Sequence, residues 1–300
     1  MSNPAYEASF RRWAAANGVG WQRIVYPRDE YGSTVAYRLT PAGELSGTVL
    51  LVHGAGNDAL FGMVGLAKRL ISRNFQVITF DLDGHGRDSG SRFSGTTIGG
   101  AVAEAVRRLP TDREVPLHAV GISLGGALLL HTLAKAGCGI SSAILMVAPL
   151  RIEFSRAAFA AELRPRLLRT LWRERAHYGL AGLVPSFGPF KRATYPLRFA
   201  PSEVVGTGAF GYIEVLDRTL ASLDLEEAAR TNTVPTLLIY GDADRIVPIE
   251  QGKRLERLIP SARLLSISGG THLTTPLAAE AVSSALEWID DHAVAARQTR

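Results

Sequence analysis

Residues 117–133, LHAVGISLGGALLLHTL, decide the fold class of this chain. Leu117 to Ile122 form an apolar run typical of a buried strand, and Leu124 to Ala136 follow with the period of a helix. Between them, Gly121 to Gly125 read G-x-S-x-G. A strand that turns this sharply into a helix strains the central residue and requires small flanking residues. The stretch therefore predicts a turn that lifts the Ser123 hydroxyl above a sheet.

Further apolar and helical segments alternate on both sides of this unit. The other apolar runs rich in Val, Ile and Leu are Thr48–Val52, Phe75–Phe80, Ile140–Val147, Thr236–Tyr240 and Ala262–Ile267. The other stretches with helical period are Ala59–Arg73, Ile98–Leu109, Glu250–Leu258 and Pro276–Asp291. This alternation predicts an α/β fold with a mostly parallel central sheet and helices on both faces. Before it, we expect a helix at Pro4–Asn17 and an antiparallel sheet edge from Gln22–Tyr26 and Thr34–Leu39.

The alternation stops between Pro149 and Val234. This segment carries helical patterns without a convincing central strand. The patterns are interrupted by Pro165, Pro185, Pro189, Pro196 and Pro201, and by Gly206, Gly208 and Gly211. We therefore expect a core of residues 1–150 and 233–300, and an inserted helical cap of residues 151–232. The first cap helix is expected at Ala157–Tyr178 and is rich in arginine.

Composition indicates a globular chain whose charge is unevenly distributed. The chain is 46% hydrophobic and 20% charged, with a net charge of +5. Arg151 to Ala200 hold ten basic residues and three acidic ones, Glu153, Glu162 and Glu174. Because the basic residues are not interleaved with base-stacking aromatics, we expect no nucleic-acid partner. We interpret the basic cap helix as part of a lid with a solvated cationic face, and weak contact with a membrane surface is the alternative. No sequence pattern indicates the oligomeric state.

Cysteine content and the N-terminus bear on the compartment. Cys138 is the single cysteine, which excludes an intramolecular disulfide and a cysteine-based zinc site. The first residues lack a basic stretch followed by an apolar one, and no run of 18 apolar residues occurs. We therefore expect a cytoplasmic, non-spanning protein.

Three more loops follow predicted strands and carry residue types used in acyl transfer. His53-Gly-Ala55-Gly56 offers glycines that let backbone amides approach a ligand, and Ala55 is a candidate oxyanion donor. Gly241-Asp242-Ala-Asp244 offers a carboxylate that can orient an imidazole, and Gly269-Gly-Thr-His272 places a candidate base. The chain order serine, acid, histidine is typical of α/β-hydrolases.

With these motifs, the chain resembles the α/β-hydrolase superfamily, in particular its monoacylglycerol lipase and lysophospholipase-like branch, of the serine aminopeptidase S33 type. The resemblance spans about Val49 to Trp288 and includes Asp81-Leu-Asp-Gly-His85-Gly86. It implies an α/β-hydrolase fold with a cap. It further implies that Ser123 is the nucleophile, His272 the base and Asp244 the acid, with the amides of Ala55 and Leu124 as the oxyanion hole. Asp242 is the rival acid.

The resemblance also implies the chemistry. We expect a serine hydrolase that needs no cofactor and cleaves a carboxylic ester, of a monoacyl lipid or a similar small acyl group. Aminopeptidase and thioesterase activities are alternatives on the same residues. A different class is indicated by Gly54-Ala-Gly56-Asn-Asp-Ala59, a G-x-G-x-x-A match followed by Asp81, which together resemble a dinucleotide site. A binding protein with an inactive site is the third possibility.

Other polar residues near these motifs are interpreted as structural. His53 and His85 are expected to order loops by hydrogen bonding, because one base already fits the site. Asp81, Asp83 and Asp88 are expected to tie loops at strand ends, since no histidine accompanies them at ligand spacing. We therefore expect no metal.

Overall fold

A computed structural model describes residues 4–29, 32–60, 63–86, 91–109, 114–135, 137–153, 155, 157–158, 162, 169 and 209–298. The strands are β1 (Gly20–Asp29), β2 (Gly32–Thr40), β3 (Gly47–Val52), β4 (Phe75–Phe80), β5 (Leu117–Ile122), β6 (Ser142–Met146), β7 (Thr236–Gly241) and β8 (Ala262–Ile267). The described helices are α1 (Pro4–Ala16), α2 (Val64–Ile71), α3 (Ala101–Arg108), α4 (Leu124–Leu133), α5 (Ala209–Ser222), α6 (Leu225–Thr231), α7 (Ile249–Leu258) and α8 (Ala279–Gln298). Short 3₁₀ turns lie at Ile98–Gly100 and Thr275–Leu277.

The strands form one eight-stranded sheet in the order β1-β2-β4-β3-β5-β6-β7-β8. β2 pairs antiparallel with both β1 and β4, and every pair from β4 to β8 is parallel. The predicted α/β class, the parallel sheet and its antiparallel edge are thus confirmed. Because parallel strands present their carboxyl ends at one edge, the loops after β3, β5, β7 and β8 meet there.

Two hydrophobic clusters cover the two faces of the sheet. Alternate residues of each strand point to opposite clusters: Leu50 and Val52 join one, whereas Val49 and Leu51 join the other. α3, α4, α6 and α7 pack on the first face, and α1, α2 and α8 on the second. This explains why the central strands read as continuous apolar runs rather than as alternating ones.

Much of the expected cap lies outside the described residues, including most of the predicted basic helix at 157–178. Within the expected cap, α6 packs beside α4, where Leu225, Ala228 and Ala229 are buried in the first cluster. The boundary between core and cap stays a prediction. Among the described helices, none combines the length and apolar character needed to cross a bilayer.

Candidate active site

Ser123 lies in a strained turn at residues 122–124, between β5 and α4, which we call the elbow. Its φ and ψ are 52° and −122°, a conformation that L-residues rarely adopt. The strain is held by hydrogen bonds on both sides: the Ser123 N–H donates to the Met146 carbonyl at 2.9 Å, and the Gly126 N–H donates to the Ser123 carbonyl at 2.8 Å. The turn places the serine at the start of α4, where unpaired N–H groups and the helix dipole favour negative charge.

The glycines around Ser123 are required by close backbone packing. A Cβ at Gly121 would lie 2.6 Å from the Gly125 carbonyl oxygen, and one at Gly125 would lie 2.4 Å from that of Val52. Both distances are far below van der Waals contact. The G-x-S-x-G spacing therefore reflects the space between β3, β5 and α4, as the sequence argument expected.

Three side chains from different loops form a hydrogen-bonded row. His272, in the loop after β8, has its Nε2 2.9 Å from Ser123 Oγ and its Nδ1 2.9 Å from Asp244 Oδ2. The Asp244 side chain is fully buried, and the His272 side chain is 12% exposed. The structure thus brings together the three residues that were predicted to meet. Ser123 lies 149 residues before His272 in the sequence, and Asp244 lies 28 residues before it.

Asp244 and Asp242 have different surroundings. The second oxygen of Asp244, Oδ1, accepts the N–H groups of Ile246 and Val247, both at 2.8 Å. These bonds fix the carboxylate that faces the imidazole. Asp242 is exposed and accepts the N–H of Gly269, so that it ties the loop before His272. Asp244 therefore contacts the His272 imidazole, whereas the hydrogen bond of Asp242 goes to the main chain of Gly269.

The loop after β3 lies against the serine. A Cβ at Gly54 would lie 3.1 Å from Ser123 Cβ, so Ala55 follows a backbone that already contacts the elbow. His53 fixes this loop: its Nε2 accepts the Leu82 N–H at 3.0 Å, and its Nδ1 lies 2.8 Å from the Gly54 carbonyl. Burial, with a smaller contribution from His85, lowers the pKa of His53 to about 3. A neutral His53 with the proton on Nδ1 satisfies both bonds, which fits the predicted loop-ordering role.

The aspartates after β4 are engaged in structural contacts. Asp81 is buried and accepts the Ala59 N–H at 2.8 Å, so it ties the loop after β3 to the end of β4. The dinucleotide alternative stays untested. Asp83 lies 3.0 Å from the buried Arg28, which also pairs with Glu104 at 2.8 Å. Asp88 lies outside the described residues. His85 Nδ1 lies 2.8 Å from the Asp83 carbonyl, again a contact within the loop.

Metal binding finds no support in this geometry. In the described ranges, no three His, Cys, Asp or Glu side chains are arranged to hold a metal ion. The absence of a metal stays a prediction for the whole chain.

Glu162 contacts the His272 loop and was missed in the sequence. Its side chain accepts the N–H of His272 at 3.1 Å and that of Leu273 at 2.9 Å. In the sequence it is one of only three acidic residues within the strongly basic stretch 151–200. That contrast in charge was the only signal.

Comparison with known proteins agrees with this architecture. The family model described as serine aminopeptidase, S33 matches residues 43–275. The chain is 29% identical over 239 residues to pyrrolizixenacetamide deacetylase of Xenorhabdus hominickii, covering 76% of this chain and 86% of the deacetylase. It is 30% identical over 101 residues to mouse protein phosphatase methylesterase 1, covering 33% of this chain and 26% of the methylesterase.

Solved structures show the same fold. An esterase from Exiguobacterium antarcticum aligns with a TM-score of 0.63 at 16% identity, over 89% of this chain and 98% of the esterase. A 2-hydroxy-6-oxo-6-phenylhexa-2,4-dienoate hydrolase from a Rhodococcus strain aligns with a TM-score of 0.61 at 19% identity, over 90% of this chain and 99% of the hydrolase. The eight-stranded sheet, the family match and these neighbours together establish that the chain belongs to the serine aminopeptidase S33 family of α/β-hydrolases.

Proposed function

We propose that this protein is a serine hydrolase that cleaves carboxylic esters through Ser123, His272 and Asp244. The observation that carries the proposal is the row of two 2.9 Å hydrogen bonds that links the three side chains. Such a row is the arrangement by which a weak hydroxyl nucleophile becomes reactive at neutral pH.

The first step is attack on the ester carbonyl. The His272 Nδ1–H donates a hydrogen bond to Asp244 and keeps its proton, while Nε2 accepts the proton of the Ser123 hydroxyl. As that proton transfers, Oγ bonds to the carbonyl carbon, and the C=O electron pair moves onto oxygen. The buried Asp244 carboxylate then faces an imidazolium, whose charge it stabilises without itself taking the proton.

The second step releases the alcohol and then the acid. The imidazolium returns its proton to the leaving alkoxide, and the carbon–oxygen bond of the ester breaks to leave an acyl group on Ser123. Water, deprotonated by His272, attacks this acyl-enzyme, and the proton finally returns to Oγ as the carboxylic acid departs. Apart from the ester and water, this sequence uses only groups of the chain itself.

The oxyanion formed in both steps is proposed to accept hydrogen bonds from the amides of Ala55 and Leu124. Leu124 is the first residue of α4, so its N–H has no partner within the helix. Ala55 lies on the loop that packs against the serine. Each donor is expected to lower the barrier by about 3 kcal/mol, as single donors do in other serine hydrolases.

For the substrate, we propose an ester with a small acyl group or a monoacyl lipid. The name of the methylesterase relative supports ester chemistry on this scaffold. The longer match to a deacetylase favours a second candidate, hydrolysis of an acetamide by the same residues. Aminopeptidase and thioesterase activities stay alternatives. We also propose a cytoplasmic location, with weak contact between the basic cap helix and a membrane surface as an untested possibility.

The test is hydrolysis of p-nitrophenyl esters of graded chain length, of a monoacylglycerol and of acetanilide. We expect Ser123→Ala to abolish hydrolysis while the melting temperature stays nearly unchanged, and Ser283→Ala, an exposed serine on α8, to behave as wild type. Hydrolysis that survives in Ser123→Ala would refute the nucleophile. A folded wild type inactive on every substrate would favour the binding-protein alternative.

A further inference from the structure

Glu162 contributes a buried carboxylate to the loop that carries His272. The residue is 1% exposed, although it belongs to the stretch 151–200, where most charged residues are basic. Its two oxygens accept different donors: Oε1 accepts the His272 N–H and Oε2 accepts the Leu273 N–H. A buried carboxylate is costly unless its oxygens are hydrogen-bonded, and these two bonds meet that requirement.

Two other amides of the His272 loop are satisfied within the loop. The Thr271 N–H donates to Thr274 Oγ1 at 2.9 Å, and the Thr275 N–H donates to the Thr271 carbonyl at 2.9 Å. The amides of His272 and Leu273 instead depend on a residue 110 and 111 positions earlier in the chain. Glu162 therefore connects the main chain at the histidine to a residue that belongs to none of the strands.

We infer that Glu162 is a positioning residue for His272, an inference that rests on the proposed serine hydrolase function. The imidazole must lie within hydrogen-bond reach of Ser123 on one side and Asp244 on the other. Asp244 is fixed by two amides, and Ser123 is fixed by the elbow. Glu162 supplies the corresponding restraint for the third member, because it holds the His272 main chain at two consecutive amides.

Only a carboxylate satisfies this role completely. A glutamine has the same shape but one acceptor oxygen, so its NH₂ group would face the second N–H. An alanine would remove the acceptor of both part-buried amides. Because misplacement of a catalytic group by about 1 Å can reduce rates about 100-fold, loss of the restraint should lower the rate of the chemical step.

The experiment compares Glu162→Gln and Glu162→Ala with the wild type on the most reactive p-nitrophenyl ester. We expect kcat to fall about 10-fold for the glutamine and about 100-fold for the alanine, with KM within about threefold. The matched control is Glu153→Gln, which makes the same charge change in the preceding part of the chain, where Glu153 pairs with Arg151 at the surface. Its kcat should stay within about twofold of wild type.

A spectroscopic signature separates positioning from simple stabilisation. The His272 Nδ1 proton, hydrogen-bonded to Asp244, should give a far-downfield proton resonance in the wild type and in Glu153→Gln. We expect this resonance to broaden or disappear in Glu162→Gln, at a temperature where circular dichroism shows the variant to be folded. Partial retention of kcat by glutamine relative to alanine would be the rescue expected of a lost acceptor.

Unchanged kcat and an unchanged resonance in folded Glu162→Gln would overturn the inference, whatever its melting temperature. If Glu162→Ala does not fold, the glutamine variant alone decides. A wild type without hydrolysis would refute the proposed function instead, and the resonance would still show whether Glu162 positions His272.

Discussion

The substitution Gly125→Ala tests whether close backbone packing sets the geometry of the site. The added Cβ would lie 2.4 Å from the Val52 carbonyl oxygen and 2.5 Å from that of His53. Since real contacts of this kind stay above 3.0 Å, α4 must move away from the end of β3 by at least about 0.6 Å. The obstacle is backbone on both sides, so no side-chain rotation relieves it.

This movement separates the two amides that are proposed to bind the oxyanion. Leu124 moves with α4, whereas Ala55 follows the end of β3. We therefore expect kcat/KM to fall by about 100-fold, the scale found when catalytic groups are displaced by about 1 Å. Overpacking should also lower the free energy of unfolding by about 1–3 kcal/mol, which shifts the melting temperature by a few degrees.

The assay pairs ester hydrolysis with thermal unfolding followed by circular dichroism. The control is Gly20→Ala at the start of β1, where the added Cβ meets its nearest atom, the Thr40 carbonyl oxygen, at an ordinary 3.5 Å. It should leave kcat/KM unchanged. A Gly125→Ala protein with kcat/KM within about threefold of wild type would show that this packing does not control the site, and the argument for the elbow would fail.

Three further predictions concern the acid, the buried ion pair and pH. Asp244→Asn should lower kcat by about four orders of magnitude, whereas Asp242→Asn should lower it by less than about tenfold. If steady-state kinetics showed the larger loss of kcat in Asp242→Asn, the roles given to the two aspartates would be reversed. Arg28→Ala removes the buried partner of Asp83 and Glu104, so it should lower the free energy of unfolding in urea by about 3–5 kcal/mol. Arg73→Ala, at the exposed ion pair with Asp290, should lower it by less than about 1 kcal/mol. Equal losses in the two variants would contradict the argument from burial. Burial lowers the pKa of His118 to about 4, so between pH 6.5 and pH 4 the unfolded chain binds a proton that the folded chain does not. His118 should therefore lower the free energy of unfolding by about 1.4 kcal/mol for each pH unit as the pH drops towards 4. A His118→Gln protein with the same pH dependence as wild type would disprove that contribution.

The α/β fold could be predicted from sequence because the periods of the strands and helices and the residues of the turns indicate the same elements along the core. The run before Ser123, the glycines around it and the apolar strands all indicate the same sheet edge. The antiparallel edge formed by β1 and β2 was also predictable. The position of β4 between β2 and β3 was not, because pairing partners distant in sequence leave no local periodicity.

For the candidate site, the sequence identified the residues with motif signals and missed those without. Ser123 and His272 lie in glycine-containing loops directly after apolar strands, so their convergence could be predicted. The choice of Asp244 over Asp242 depended on the resemblance, and only the geometry supplied an independent reason. Glu162 reaches the site from outside the sheet through two main-chain amides, a contact that no pattern of residue types encodes.

The most direct test of the central claim is labelling with a fluorophosphonate, which reacts with an activated serine whatever the natural substrate. Mass spectrometry should locate one adduct on Ser123 in the wild type. The adduct should be absent from Ser123→Ala and strongly reduced in His272→Ala, with both variants folded by circular dichroism. An adduct on another serine, or labelling of the wild type no faster than of His272→Ala, would contradict the account of Ser123 as a nucleophile activated by His272.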